Sequence, residues 1–325
     1  MKKISRIGVF TSGGDSPGMN ACIRAVVRNA LHHHIQVSGI RYGYQGMIDN
    51  DIIHMNASSV ANIIQRGGTI LKTARSKEFM EVSGREKAIK NLKEHHIDAL
   101  VAIGGDGTFK GAIALNKMCN IPVIGCPGTI DNDLAGTDFT IGYDTAINTV
   151  VENVDRIRDT AESHNRVFIV EVMGRDAGLI ALRSGIGSGA EAILIPETHT
   201  DLETLLNQLR QGRKTKSSKI IMVAEGDEAG GAFKIGEFLK KNLPETDIRI
   251  TVLGHLQRGG NPSCMDRVNA SMMGFDAVNA LLAGHSGEMI GIVNGKVKHT
   301  PFEKAVKHID KLDHHYLEML KILSR

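Results

Sequence analysis

The chain has 325 residues, 42% of them hydrophobic and 23% charged, with a net charge of +3. That balance fits a globular protein of about two domains, each able to bury a sizeable core. It excludes a general electrostatic attraction to nucleic acid. Sparse aromatics and the lack of Trp argue against base-stacking platforms, and no run approaches the roughly 20 apolar residues of a membrane span. Neither nucleic acid nor a membrane is an expected partner. Cys22, Cys119, Cys126 and Cys264 have no metal or redox spacing. Three of them lie in apolar or helical stretches, as buried thiols of a cytoplasmic protein would. The first apolar run breaks by Thr11, too soon for a signal peptide.

In chain order, a first strand is predicted at 4–10, leading into Thr11-Ser12-Gly13-Gly14-Asp15-Ser16-Pro17-Gly18-Met19-Asn20. Ser16 reads as a helix N-cap and Pro17 as the first helical residue. Met19, Ile23, Val26, Val27, Ala30 and Leu31 then recur at helical spacing. A second strand is predicted at 36–41. Residues 67–76, irregular between helices, carry Arg75, which on its own reads as a solvated loop arginine.

A third strand, 98–103, runs into Gly104-Gly105-Asp106-Gly107-Thr108 and an apolar helix. Glycines let backbone approach a phosphate, and N–H groups at a helix start favour an anion. Asp106 suits Mg²⁺, which takes one or two protein carboxylates and completes its shell with phosphates and water. A fourth strand, 121–126, ends at Pro127-Gly128-Thr129-Ile130-Asp131-Asn132-Asp133. In an open α/β sheet, ligands bind in the loops after the strands' C-terminal ends. A carboxylate there can take a proton from a substrate hydroxyl. Ordinary polar or glycine-rich turns share this composition, but three such turns, each carrying carboxylates, favour a phosphate site. A helix at 144–161 follows, with Ile147, Val150, Val151, Val154 and Ile157 on one face. Further strands are predicted at 166–172, 190–195, 219–224, 249–253 and 289–293. This alternation argues for an α/β fold of two doubly wound, Rossmann-like domains with mostly parallel sheets. The first crossing between domains is expected near 136–142.

The segments TSGGDSPGMNACIR from Thr11, GGDGT from Gly104, PGTIDND from Pro127, VEVMGRDAG from Val170 and VLGHLQRGG from Val252 occur in one order over most of the chain. Together they resemble the bacterial-type ATP-dependent 6-phosphofructokinases. The resemblance implies phosphoryl transfer from MgATP to the C1 hydroxyl of fructose 6-phosphate, in glycolysis. It assigns ATP to Gly14, Arg75, Ser76, Gly105, Asp106, Gly107 and Thr108, with Mg²⁺ on Asp106. It assigns the sugar phosphate to Thr129, Ile130, Asp131, Met173, Gly174, Arg175, Glu225, His255, Leu256, Gln257 and Arg258. Arg166 and Arg249 are implied to reach a neighbouring subunit's site, in a homo-oligomer, a tetramer. Asp131, Arg75 and Arg175 are the implied catalytic residues. The ATP domain is expected at 1–140 with about 254–304, and the fructose 6-phosphate domain at about 141–253 with 305–325.

An effector site for a nucleoside diphosphate or phosphoenolpyruvate is implied at Arg24, Arg28, Arg158, Gly189, Glu191, Lys214 and Lys216. Read alone, Arg24 and Arg28 are a solvated basic helix face. The chain departs from the pattern there. Ala57 and Asn62 stand where some members carry Arg and Asp, and Ser217 and Ser218 where Lys and His are often found. A weakened or retuned effector response is expected. Three rivals are answered by residues. Pyrophosphate-dependent relatives typically carry Asp at the place of Gly107 and Lys at the place of Gly128, and both are glycine here. An NAD or lipid kinase would leave 127–133 and 254–260 unexplained. A sensor that had lost catalysis should have lost Asp131, Asp106 or Arg175.

Overall fold

The structure, a computed structural model, describes residues 4–164, 166–211, 218–307, 312 and 314–323. From the N-terminus come β1 (Arg6–Ser12), α1 (Met19–His32), β2 (Gln36–Ile40), α2 (Gly43–Ile48), β3 (Ile52–Met55), α3 (Val82–Glu94), β4 (Ala99–Gly104), α4 (Asp106–Asn116) and β5 (Val123–Pro127). Next come α5 (Tyr143–His164), β6 (Val167–Val172), α6 (Leu179–Gly187), β7 (Ala192–Leu194), α7 (Leu202–Gln211), β8 (Lys219–Ala224), α8 (Gly231–Asn242) and β9 (Ile248–Val252). The chain ends with α9 (Cys264–Leu282), β10 (Glu288–Val293), β11 (Lys296–Pro301), α10 (Phe302–Ala305) and α11 (His314–Leu323). It divides into two compact units, Met1–Thr145 with Arg258–Ile309, and Ala146–Gln257 with Asp310–Arg325.

In the first unit, the described residues form a seven-stranded sheet in the order β11-β10-β5-β4-β1-β2-β3. Its five central strands are parallel, while β3 and β11 run antiparallel at the two edges. Alternate residues feed two apolar layers. Ile7, Val9, Val101 and Ile103 pack with α1 and α9, whereas Phe10, Leu100 and Ala102 pack with α2, α3 and α4. That period of two, with helices on both faces, makes the sheet doubly wound. Each fully buried Ile, Leu or Phe here contributes about 1.5–3 kcal/mol.

In the second unit, β7-β8-β6-β9 form a four-stranded, all-parallel sheet. Val167, Ile169, Ile221 and Val223 pack on Leu205, Leu206, Leu209, Ile235 and Leu239 of α7 and α8. No helix among the described residues is long and apolar enough to cross a membrane.

Three expectations need correction. Helix α1 begins at Met19, with Gly18 as its cap, so Ser16 is not the N-cap and Pro17 is not helical. The Ser16 carbonyl accepts from Met19 N at 3.3 Å, closing a turn before the helix. The segment 136–142 is not a crossing. Asp138 N donates to Ile292 O at 2.8 Å and Gly142 N to Asp266 Oδ1 at 2.7 Å, so it is knitted into the first unit. Its glycines permit close packing, and the division falls after Thr145. Of the cysteines, Cys22 and Cys126 are buried, Cys119 is half-buried and Cys264 is exposed.

Candidate active site

Sheet order brings three glycine loops of the first unit together. Strands β5, β4 and β1 are neighbours and parallel, with Ser12 beside Gly104 and Gly104 beside Pro127. The loops that follow them, 13–18, 105 and 128–133, therefore leave one edge of the sheet side by side. They are stitched to each other. Gly128 N donates to Gly104 O at 3.0 Å, and Thr108 Oγ1 donates to Ser12 O at 3.0 Å. A Cβ on Gly104 would stand 2.5 Å from Ser12 O and 2.2 Å from Thr108 Oγ1, so this contact requires glycine.

The stretch 67–76 packs against the same edge. Thr73 Oγ1 donates to Gly13 O at 2.7 Å, and Thr11 Oγ1 to Lys72 O at 2.7 Å. Arg75 is exposed beyond this anchor. Ser76 Oγ donates to Gln45 Oε1 at 2.7 Å and accepts from Phe79 N at 3.1 Å. A cavity of about 480 Å³ lies beside Asp15, lined also by Asn20, Gly67, Gly68 and Thr73. Asn20 is a residue whose role sequence reasoning missed. Its Nδ2 donates to Arg66 O and Gly67 O, and its Oδ1 accepts from Ile70 N, which fixes the loop wall. An Asn held on an apolar helix face was the available signal.

Asp106 opens α4, where the helix dipole favours negative charge. It accepts from Lys110 Nζ at 3.0 Å and is 34% exposed. Gly107 is different in kind from Gly104, because an added Cβ would meet nothing within 4 Å. At Gly128 an added Cβ would press on Met19 Cε at 2.9 Å.

Asp131 is 2% exposed. Its N–H donates to Thr129 Oγ1 at 3.2 Å, and Thr129 O in turn accepts from Thr140 Oγ1 at 2.6 Å. Ile130 beside it is fully buried. Asn132 adopts φ 54°, and its side chain bridges Asp138 O and Thr140 N, holding the loop bent. Asp133 is half-buried behind it. Arg258 also belongs to this unit, and its Nη1 donates to Asp15 O at 3.2 Å over Gly14.

The second unit repeats the arrangement. Strands β8, β6 and β9 are adjacent and parallel, with Val172 beside Ala224 and Glu171 beside Val252. Their following residues meet. Arg175 N donates to Glu225 Oε1 at 2.9 Å, and Met173 N donates to the buried Gln257 Oε1 at 3.1 Å. Gly174 and Arg175 both take positive φ, 141° and 55°, so the turn that presents the guanidinium is backbone-strained at Arg175. His255 and Leu256 lie in a short 3₁₀ turn after β9, with Leu256 exposed.

Arg166 and Arg249 are not brought to that cluster. They sit at the opposite, N-terminal ends of β6 and β9, about 20 Å along the strand from Met173. Both pair with Asp247, Arg166 Nε at 2.6 Å and Arg249 Nε at 2.9 Å. Chiefly through the Arg166 hydrogen bond, the Asp247 carboxyl is held below the usual carboxylate range.

Of the expected effector residues, Arg24 and Arg28 line a cavity of about 610 Å³ between α1 and α9 of the first unit. Burial, and then the Arg28 charge, lower the Arg24 pKa. In the second unit, Arg158 Nη2 donates to Ser188 O at 2.5 Å and to Gly189 O at 3.3 Å. Glu191 accepts from Ile220 N. Ser218 is buried. Lys214, Lys216 and Ser217 lie outside the described residues.

Sequence reasoning also missed Asp266. It is buried in the first turn of α9 and accepts from Gly142 N at 2.7 Å, Thr145 N at 2.8 Å and Thr145 Oγ1. Burial outweighs these donors and pushes its pKa up to about 6. The signal was Ser263-Cys264-Met265-Asp266, a capping pattern, and Ser263 Oγ does accept from Asp266 N at 3.2 Å.

Known proteins share this fold. A family model described as Phosphofructokinase matches residues 6–281. ATP-dependent 6-phosphofructokinase 2 of Bacteroides thetaiotaomicron is 50% identical over 325 residues, covering 100% of both chains. ATP-dependent 6-phosphofructokinase 1 of Thermus thermophilus is 52% identical over 322 residues, covering 99% of this chain and 100% of that one. Among solved structures, the phosphofructokinase of Pichia pastoris in the T-state superposes with a TM-score of 0.87 at 35% identity. This chain is covered in full and spans 37% of that longer one. A pyrophosphate-dependent phosphofructokinase of Marinobacter aquaeolei, at 24% identity and a TM-score of 0.85, shares the fold, covering 98% of this chain and 91% of that one. With a match across most of its length, and strand-end loops built from the residues that carried the resemblance, the chain belongs to the phosphofructokinase family.

Proposed function

We propose that this protein is an ATP-dependent 6-phosphofructokinase. It transfers the γ-phosphoryl group of ATP to the C1 hydroxyl of fructose 6-phosphate, giving fructose 1,6-bisphosphate and ADP, the committed step of glycolysis. The observation that carries this reading is the alignment of Ser12, Gly104 and Pro127 on adjacent strands, which gathers three anion-suited loops and the buried Asp131. The ATP-dependent relatives at 50–52% identity support the same conclusion.

In this reading Gly14, Arg75, Ser76, Gly105, Asp106, Gly107 and Thr108 bind ATP. Asp131 takes or orients the hydroxyl proton. Because phosphoryl transfer is largely dissociative, a weakly basic carboxylate suffices and alignment matters more. Arg75, Arg175 and the backbone N–H groups near Gly14 offset charge on the transferred group. Asp133 supports the Asp131 loop. Thr129, Ile130, Met173, Gly174, Glu225, His255, Leu256, Gln257 and Arg258 hold the sugar phosphate, and Arg166 and Arg249 serve a neighbouring subunit.

Mg²⁺ fits Asp106 on donor chemistry, since a half-exposed carboxylate at a helix start is a hard oxygen ligand with room for water and phosphate. When bound, the ion would neutralise charge on the nucleotide phosphates. Arg24, Arg28, Arg158, Gly189, Glu191, Lys214 and Lys216 form the effector site, for a nucleoside diphosphate or phosphoenolpyruvate. The protein works as a cytoplasmic homotetramer; the exposed Phe233 and Val252 are apolar surface that assembly could cover.

The deciding experiment is a coupled assay of fructose 1,6-bisphosphate formation with MgATP or pyrophosphate as donor. Turnover with MgATP and little with pyrophosphate is expected. A higher kcat/KM with pyrophosphate would overturn the donor, and no product with either would overturn the reaction.

A further inference from the structure

Among the described residues, one group of three metal-capable side chains stands apart from every loop used above: His285, Glu288 and His299 of the first unit. Their candidate ligand atoms all lie within 4.8 Å of one another. His285 Nδ1 is 3.3 Å and His299 Nδ1 is 3.0 Å from the same oxygen, Glu288 Oε2. The imidazole centroids are 4.9 Å apart.

The placement follows from the sheet. Glu288 opens β10 and His299 lies near the end of β11. The two strands are antiparallel with Ile290 opposite His299, so Glu288 and His299 are diagonal neighbours on one face. Strand β10 runs parallel to β5 with Glu288 beside Ile124, near the start of β5. The cluster thus occupies the N-terminal edge of the sheet, whereas Asp131 follows its C-terminal edge. The backbone beneath it is held in place. His285 N donates to Ala280 O at 2.9 Å, Gly287 N to Val123 O at 2.8 Å, and Phe302 N to Gly287 O at 2.9 Å. Ser286 Oγ accepts from Val123 N at 3.1 Å.

We propose that His285, Glu288 and His299 form a binding site for a divalent transition metal of the zinc class, separate from the nucleotide's magnesium. Two imidazole nitrogens and a carboxylate oxygen are the donors such ions take, while hard cations such as Mg²⁺ and Ca²⁺ prefer all-oxygen shells. Bonds of about 2.0–2.2 Å in a tetrahedron put neighbouring ligand atoms about 3.3–3.6 Å apart. The two histidine–glutamate spacings already lie close to that. The remaining spacing closes by turning two exposed rings, while the backbone stays in place. The fourth position is left to water. The bound ion would staple the α9–β10 loop to β11. The competing account is a plain His–Glu ion-pair cluster, which needs no metal.

The test is calorimetric titration of chelator-treated, full-length protein with Zn²⁺ alone, without nucleotide. Wild type should bind one equivalent with a Kd below about 100 µM. His285→Ala, His299→Ala and Glu288→Gln should each weaken binding by at least about tenfold, as loss of a direct ligand costs no less than loss of an outer partner. Cobalt(II) absorption should show the corresponding loss of the bound-ion band. Turnover with MgATP, and melting in chelator, should stay at the wild-type level, which establishes that the variants are folded. No binding by wild type in this range, or isotherms that overlay in wild type and variants, would overturn the proposal. The overlay would assign the heat to other groups, such as the exposed Cys264.

Discussion

The loop that carries Asp131 is held by short-range bonds: the Asp131 N–H donates to Thr129 Oγ1, and Thr140 donates to Asn132 Oδ1 and to Thr129 O. Replacing Asp131 should therefore disturb chemistry more than structure. For Asp131→Ala, kcat is expected to fall by roughly 10²–10⁴-fold, with a much smaller change in KM for fructose 6-phosphate. Steady-state kinetics on folded protein decides this, and near-normal turnover would remove Asp131 from the mechanism. The two glycines proposed to select the phosphoryl donor are predicted to behave differently. Gly107 faces open space, so Gly107→Asp should fold normally and lower kcat/KM for ATP by at least about tenfold through charge repulsion. Gly128→Lys must first displace Met19, so it should also lower the melting temperature. Equal melting of the two variants would contradict that distinction. The strand-end turns that hold Asp106 and Asp131 were legible because each is one contiguous run of residues after an apolar strand. Asn20 and Asp266 were not, because their partners lie about 50 and 120 residues away and only the fold joins them.

At the scale of elements, nine of the strands among the described residues followed from apolar runs between turn residues, and two did not. Strand β3 is only Ile52-Ile53-His54-Met55, too short to display a period. Strand β11, Lys296-Val297-Lys298-His299-Thr300-Pro301, is polar and mostly exposed. Both are antiparallel edge strands, where charge and brevity discourage further pairing, and those features hide a strand from a hydrophobic reading. The S-x-x-D start of α9 leads to a pH prediction. Asp266 has a folded pKa of about 6, raised from 3.8. Between those values the folded state binds more proton than the unfolded one. The associated stability is therefore complete below the lower value and is lost as pH rises through about 6, by about 3 kcal/mol at most. Asp266→Asn lacks this slope and leaves an amide facing N–H donors, so it should be less stable throughout. Its melting deficit should shrink between about pH 4 and about pH 6. A deficit that grows over that interval would show that the three donors, and not burial, control Asp266.

For the whole molecule, the separation of Arg166 and Arg249 from Arg175 within one chain is what a shared site requires. Mixing Asp131→Ala subunits with Arg249→Ala subunits should regain part of the lost activity, because some interfaces then carry both intact residues. A fully active monomer in sedimentation would end the shared-site reading. The effector response is expected to be present but shallow. Ala57 stands where an arginine would add a charge-assisted hydrogen bond worth about 1.5–3 kcal/mol, or roughly tenfold to hundredfold in affinity. Velocity curves with millimolar ADP or phosphoenolpyruvate test this, and a large shift at micromolar effector would contradict it. The joint hold of Asp247 on Arg166 and Arg249 has a further consequence. Each arginine carries about 2 kcal/mol of rotamer entropy. By docking both guanidiniums on one carboxylate during folding, the chain gives up much of that freedom before any ligand arrives. On the shared-site reading, a phosphate would meet a pair of cations already oriented, and its binding would not have to order two flexible side chains.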